Sequence, residues 1–212
     1  MSLNLYLLRH GETTYSQRGG YCGRLDPELT QSGLAMAQAF ADAYRQREWT
    51  AVFASPMKRT LATANPLCSA IGATPQLRDG LKEIDYGDWE DLTHDIVRDK
   101  YAHDYVAWMT EPAWNAPTGG ETAVQVASRA DLVIAEIQEA FSEGNILVVS
   151  HKATIRIILC SLLGIDLGRY RDRIEMPVAS VSVVTFGRYG PMLQRLGDRS
   201  HLPEELCNRA GT

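Results

Sequence analysis

The sequence predicts an α/β fold in which a mostly parallel central sheet carries helices on both faces and ends in an antiparallel edge. Short aliphatic runs, Leu5 to Leu8, Ala51 to Ala54 and Ile146 to Val149, each stop abruptly at polar residues, as strands buried on both faces do. A longer stretch with apolar residues at helical spacing follows each of them. Near the C-terminus, Ser182 to Phe186 and Met192 to Leu196 flank Gly187 to Pro191, the pattern of a hairpin.

Taken in order, the first strand ends at Arg9, His10 and Gly11, which delivers polar side chains to the edge of the sheet. Tyr15 to Pro27, rich in glycine and polar residues, reads as a loop folding over that strand end, with Ser16, Cys22 and Gly23 as candidate substrate contacts. Thr30 offers an N-cap to a helix with Leu34, Ala37, Phe40, Ala41 and Tyr44 on one side. Asp26, Thr30 and Gly33 read as turn and capping residues. After the second strand, Ser55 and Pro56 predict an N-cap and first helical position, with a helix from Met57 toward Ile71 that Pro66 should bend.

Gln76-Leu77 reads as a brief strand, followed by an acidic run holding Glu83, Asp85, Asp88 and Glu90. Leu92 to Met109 is expected to be helical, and Thr110 to Gly120 a loop; with the preceding residues they make an insertion at about 85–121 that roofs the pocket. Val126, Ala130, Val133, Ile137 and Phe141 stripe the next helix, expected to end at Asn145. The strand Ile146 to Ser150 then leads to His151 and Lys152, and Ile155, Ile158, Leu159, Leu162 and Leu163 mark a well-buried helix.

At 212 residues the chain suits one α/β domain, 1–212. Its net charge of −5 argues against nucleic acid and anionic membranes as partners, since both demand a positive face, so an anion has to be held by a local cluster. Cys22, Cys68, Cys160 and Cys207 lie far apart, without the spacing of a zinc motif or the density of a disulfide scaffold, and read as reduced thiols. No stretch has the form of a signal peptide or the length of a membrane span, which makes the cytoplasm the expected compartment.

Leu8-Arg9-His10-Gly11-Glu12-Thr13 closely resembles the signature of the histidine phosphatase superfamily, the group that includes the cofactor-dependent phosphoglycerate mutases. Further resemblances follow in order. Ala54 to Thr60 is similar to the segment whose arginine, here Arg59, holds the substrate phosphate. Leu81 to Glu90 resembles the segment of the general acid, which maps onto Glu83. Val148-Val149-Ser150-His151 resembles the last catalytic signature, departing from it at Lys152, where many members have glycine. The pieces span Leu8 to Leu202. They imply a three-layer, phosphoglycerate mutase-like sandwich in which His10 becomes phosphorylated.

The chemistry of these residue types agrees with that implication. Guanidinium forks at Arg9 and Arg59 match phosphate oxygens, and His151 would add a third donor. Their charges disfavour protonation of His10, which frees its nitrogen to attack. A carboxylic acid, Glu83, can protonate the departing alkoxide and then act as base on water; Asp85 and Asp88 are competitors on the same run. No metal or other cofactor is expected. The short segment before Gly120 favours the phosphatase branch, hence a phosphomonoesterase acting on a small phosphorylated metabolite. The alternatives are a cofactor-dependent mutase and a non-catalytic phosphate-binding protein, with assembly into a homodimer left open. Lys152, at a helix start whose dipole is already positive, either carries its ammonium to water or selects substrates with a second negative group.

Overall fold

The computed structural model describes residues 2–209 and 211. Its sheet has the strands β1 (Leu3–Arg9), β2 (Ala51–Ala54), β3 (Gln76–Leu77), β4 (Gly144–Ser150), β5 (Val181–Gly187) and β6 (Gly190–Asp198), in the order β3-β2-β4-β1-β5-β6. The pairs β3/β2, β2/β4 and β4/β1 are parallel, while β1/β5 and β5/β6 are antiparallel. The parallel core and antiparallel edge are those predicted from the sequence. Among the described residues no helix is long and apolar enough to cross a membrane.

The helices are α1 (Thr14–Arg18), α2 (Gln31–Tyr44), α3 (Lys58–Ile71), α4 (His94–Lys100), α5 (Ala102–Thr110), α6 (Ala123–Ala140), α7 (Lys152–Leu163), α8 (Tyr170–Arg173) and α9 (Glu204–Cys207). Alternate residues of the central strands feed two cores, one on each face of the sheet. Leu5, Leu7, Ile146 and Val148 pack with Val126, Ile134 and Ile158 of α6 and α7. Tyr6, Leu8, Leu147 and Val149 pack with Phe40, Ala64 and Leu67 of α2 and α3. Burial on both faces is why these strands read as unbroken apolar runs. The four cysteines are free thiols.

Several local expectations give way. The segment after β1 is no simple loop, because Thr13 and Ser16 form a capping box that starts α1. Helix α3 begins at Lys58 with no side-chain cap of its own and stays one helix through Pro66. Its first amide instead donates to Asp26 Oδ1 (2.9 Å), so a carboxylate from another segment offsets the two cations of the first turn. The predicted helix over 92–109 is two helices, parted at Tyr101, whose φ of −120° leaves the helical region. Asn145 lies within β4, since α6 stops at Ala140 and Phe141 caps it. Gly33 is more than a capping residue: a Cβ there would strike the Glu12 carbonyl, and one on Gly11 would lie 2.6 Å from the Gly33 carbonyl. The loop after β1 therefore sits directly on the start of α2. The expected unit 1–212 extends to residues 1, 210 and 212, which lie outside the described residues.

Candidate active site

Strands β1, β2 and β4 run parallel and end at one edge, with Arg9 in register with Ser150 and Ala54 with Val149. The backbone continues that pairing for one more step: His10 N donates to Ser150 O and Ser55 N to Val149 O, each at 3.0 Å. This brings Arg9, His10, Ser55 and His151 together, and α3 adds Arg59 from above β2. Of these, Arg9, His10 and Arg59 border a cavity of about 300 Å³, the low end for small-molecule sites.

His10 is buried, and its Nδ1 donates to the Gly11 carbonyl at 2.8 Å. Because a carbonyl only accepts, Nδ1 holds the proton and Nε2 keeps a lone pair. Burial, then the charges of Arg59 and Arg9, hold the imidazole well below its usual value, so it stays neutral. Arg9 donates to the Met176 carbonyl at 2.6 Å. Burial lowers its guanidinium to about 9, with the Glu83 carboxylate working against that shift; it remains a cation at neutral pH.

Arg59, 1% exposed, is held on three sides. Nη1 donates to Leu25 O (2.7 Å), Nη2 to Gly23 O (3.0 Å) and Nε to His151 Nδ1 (3.1 Å). A guanidinium has five N–H donors; three are used by these bonds, and Nη1 also pairs with Asp26 Oδ1 at 3.6 Å. Since His151 Nδ1 accepts, its proton is on Nε2, which donates to Ser55 Oγ (2.9 Å). Burial and Arg59 keep His151 neutral. With both nitrogens engaged, His151 abuts His10, ring centroids 5.2 Å apart, and fixes Arg59. Ser55, expected to cap α3, serves this contact instead.

Of the four carboxylates in the acidic run, only Glu83 lines the cavity. Its Oε1 accepts from Ile84 N (3.0 Å) and Thr154 N (3.2 Å), and Oε2 from Ala153 N (3.3 Å) at the start of α7. Asp85 turns away to accept from Gly87 N (2.8 Å) and to pair with Arg24 at 2.9 Å. Ser16, Cys22, Gly23 and Lys152, the other candidate substrate contacts, also line the cavity. Cys22 is a neutral thiol, pushed up to about 11 by burial. Tyr86, His94 and Trp108, from the segment expected to roof the pocket, line it too. That segment is tied to the loop after α1 by Tyr21, whose ring packs against Trp89 and Trp108 and whose carbonyl accepts from Asp91 N at 3.0 Å.

A model of the histidine phosphatase superfamily (branch 1) matches residues 5–199. The chain belongs to that superfamily. Within the superfamily it is 30% identical to phosphoserine phosphatase 1 of Hydrogenobacter thermophilus over 202 residues, 95% of each chain. It is 29% identical to a glucosyl-3-phosphoglycerate phosphatase of Mycobacterium tuberculosis over 174 residues, 78% of each. Among solved structures, the alpha-ribazole phosphatase of Shigella flexneri superposes with a TM-score of 0.85 at 26% identity, covering 95% of this chain and 99% of that one.

Beside the residues expected of a histidine phosphatase, the structure places one that sequence reasoning missed. Arg129 of α6 pairs with Glu121 (Nε to Oε1, 2.9 Å) and donates to the carbonyls of Gly80, Lys82 and Glu83 at 2.8 to 3.1 Å. It therefore clamps the backbone that carries Glu83. Its one sequence signal is an arginine set beside the apolar stripe of α6.

Proposed function

We propose that the protein is a phosphomonoesterase that hydrolyses a small phosphorylated metabolite through a phosphohistidine at His10. The observation that carries this reading is the Nδ1–H bond from His10 to Gly11 O, which aims a neutral, lone-pair Nε2 at a pocket lined by Arg9 and Arg59. Nε2 attacks phosphorus, and the bond from phosphorus to the ester oxygen breaks. The two guanidinium groups stabilise the charge spread over the transferring phosphoryl oxygens. The departing alkoxide takes a proton from the carboxylic acid form of Glu83, whose Oε2 is held by the single longer bond to Ala153 N. Glu83, now a carboxylate, then removes a proton from water as that water attacks phosphorus; the phosphorus–Nε2 bond breaks with its electron pair returning to His10, which releases inorganic phosphate and restores both groups.

His151 and Ser55 act as positioning residues through Arg59. The names of the similar proteins, phosphatases of phosphoserine and of glucosyl-3-phosphoglycerate, support a phosphate ester of a small metabolite. The test is turnover of an aryl phosphate by the pure protein, with and without a chelator. Activity that survives the chelator and disappears in His10→Ala is expected. Phosphate binding without turnover would favour a regulatory protein instead.

A further inference from the structure

The cavity wall holds five cations, Arg9, Arg59, Lys152, Arg156 and Arg171, against one carboxylate, Glu83, in a chain whose net charge is −5. A phosphate monoester, like a phosphorylated side chain, carries about two negative charges at neutral pH. Arg9 and Arg59 beside His10 account for that charge. Lys152, Arg156 and Arg171 are left over.

These three stand on one side of the cavity, on α7 and α8. Neither the Lys152 nor the Arg156 side chain makes a hydrogen bond or ion pair among the described residues, although both are half-buried. They lie four residues apart on one face of α7, where like charges repel. Burial, followed by Arg9 and Arg156, lowers the Lys152 ammonium to about 7, against the pull of Glu83 and Glu175. Placing cations together in a half-buried wall is unfavourable unless an anion compensates them. Two neutral donors adjoin them. The Tyr170 hydroxyl and the Trp108 indole N–H belong to residues 1% and 3% exposed, and both are buried with no hydrogen-bond partner among the described residues. The Arg156 Nε–H is in the same condition. Such groups are rare in folded proteins, and an indole or guanidinium N–H can only donate. Arg171 closes the group, its Cζ 3.6 Å above the Trp108 ring.

We infer that Lys152, Arg156 and Tyr170, with Arg171 stacked on Trp108, form a second anion subsite for an acceptor-only group, a carboxylate or another phosphoryl, on the leaving portion of the substrate. Helix α7 sets the spacing. Its first amides, Ala153 N and Thr154 N, hold Glu83 next to the ester oxygen, and Arg156 lies two to three residues, about 3 to 4.5 Å of axial rise, further along. The inference rests on the phosphatase reading and narrows it to doubly anionic substrates.

The test uses matched pairs. 3-Phosphoglycerate and glycerol 3-phosphate differ only in a carboxylate against a hydroxymethyl group; fructose 1,6-bisphosphate and fructose 6-phosphate differ by one phosphoryl. The wild type is expected to prefer the more anionic member of at least one pair by about tenfold in kcat/KM, and the pair that discriminates names the group. In Arg156→Met, and in Lys152→Gln should Arg156→Met fold poorly by circular dichroism, that ratio should fall to within about threefold of unity. Tyr170→Phe, which removes only a hydroxyl, should lower it in part. Ratios near one in both wild-type pairs, or ratios unchanged in the variants, overturn the subsite. Calorimetric titration with 3-phosphonopropanoate and propylphosphonate separates this from the parent reading, because neither ligand can be hydrolysed. Preference for the carboxylate without turnover of any ester would keep the subsite and sink the phosphatase; turnover without discrimination would do the reverse.

Discussion

Arg59 and His151 hold each other across the end of the sheet, Arg59 Nε donating to His151 Nδ1 at 3.1 Å while Ser55 Oγ accepts from the opposite side of the ring at 2.9 Å. The arginine is thereby fixed before any anion arrives, which is the condition under which a donor contributes most to a transition state. Arg59→Ala is expected to lose on the order of 2 to 4 kcal/mol of transition-state stabilisation, read as kcat/KM on an aryl phosphate. A loss smaller than about tenfold would place Arg59 outside the chemistry.

The tautomer of His10 makes a chemical prediction. With Nδ1–H tied to Gly11, the phosphoryl group should reside on Nε2. Rapid quenching with radiolabelled substrate should trap an acid-labile, base-stable adduct that is absent from His10→Ala. Its persistence in that variant would mean another nucleophile.

Glu83 and Asp85 are separated by two positions in sequence and by function in space, one lining the cavity and the other bound to Gly87 N and Arg24. A general acid matters most when the departing oxygen is a poor leaving group. Glu83→Gln should therefore slow alkyl phosphates far more than activated aryl phosphates, and Asp85→Asn should show no such differential. Equal slowing of both ester types by Glu83→Gln would move the role elsewhere.

The parts legible in the sequence were those decided by short-range pattern. Burial on two faces made β1, β2 and β4 into aliphatic runs, and their parallel alignment brought Arg9, His10, Arg59 and His151 together as the order of the signatures implied. What escaped depended on partners distant in the chain. Nothing near Lys58 announces that Asp26 caps its helix, and no glycine or proline punctuates the break at Tyr101. The choice of Glu83 among four nearby acids came from resemblance, and only the packing of α7 against it supplies the physical reason. Trp108, Arg156 and Tyr170 were unreadable as a group because three separate helices bring them to one wall.

Arg129 supplies a test of positioning as opposed to chemistry. It touches the Gly80, Lys82 and Glu83 carbonyls rather than the cavity, so Arg129→Met should destabilise the fold by about 1 to 3 kcal/mol through the loss of its bonds to these carbonyls and of its ion pair with Glu121, although Lys82 O keeps Thr154 Oγ1 and Glu121 keeps Asp85 N as partners. If it also orients Glu83, kcat on alkyl phosphates should fall more than kcat on aryl phosphates, with KM nearly constant. A stability loss with no leaving-group differential would leave Arg129 purely structural.

The histidines predict how stability depends on pH. His10 and His151 are held well below the ordinary value by burial first, and His201, packed against Phe40 and Tyr44, is lowered by burial to about 4. In the unfolded chain each takes up a proton near pH 6.5. Below that pH the unfolded state binds more protons than the folded one, so stability falls as pH falls, until the folded values are reached. Lys152, lowered to about 7, acts over a different window: its contribution falls between its ordinary value of 10.5 and about 7 and is constant below. The urea midpoint should accordingly drop between pH 7 and 4.5. His201→Phe keeps a ring against Phe40 and Tyr44 without the titration, and should remove about 2 to 3 kcal/mol of that drop. A variant whose midpoint follows the wild type across this range would show that His201 takes up its proton in the folded protein as readily as in the unfolded chain.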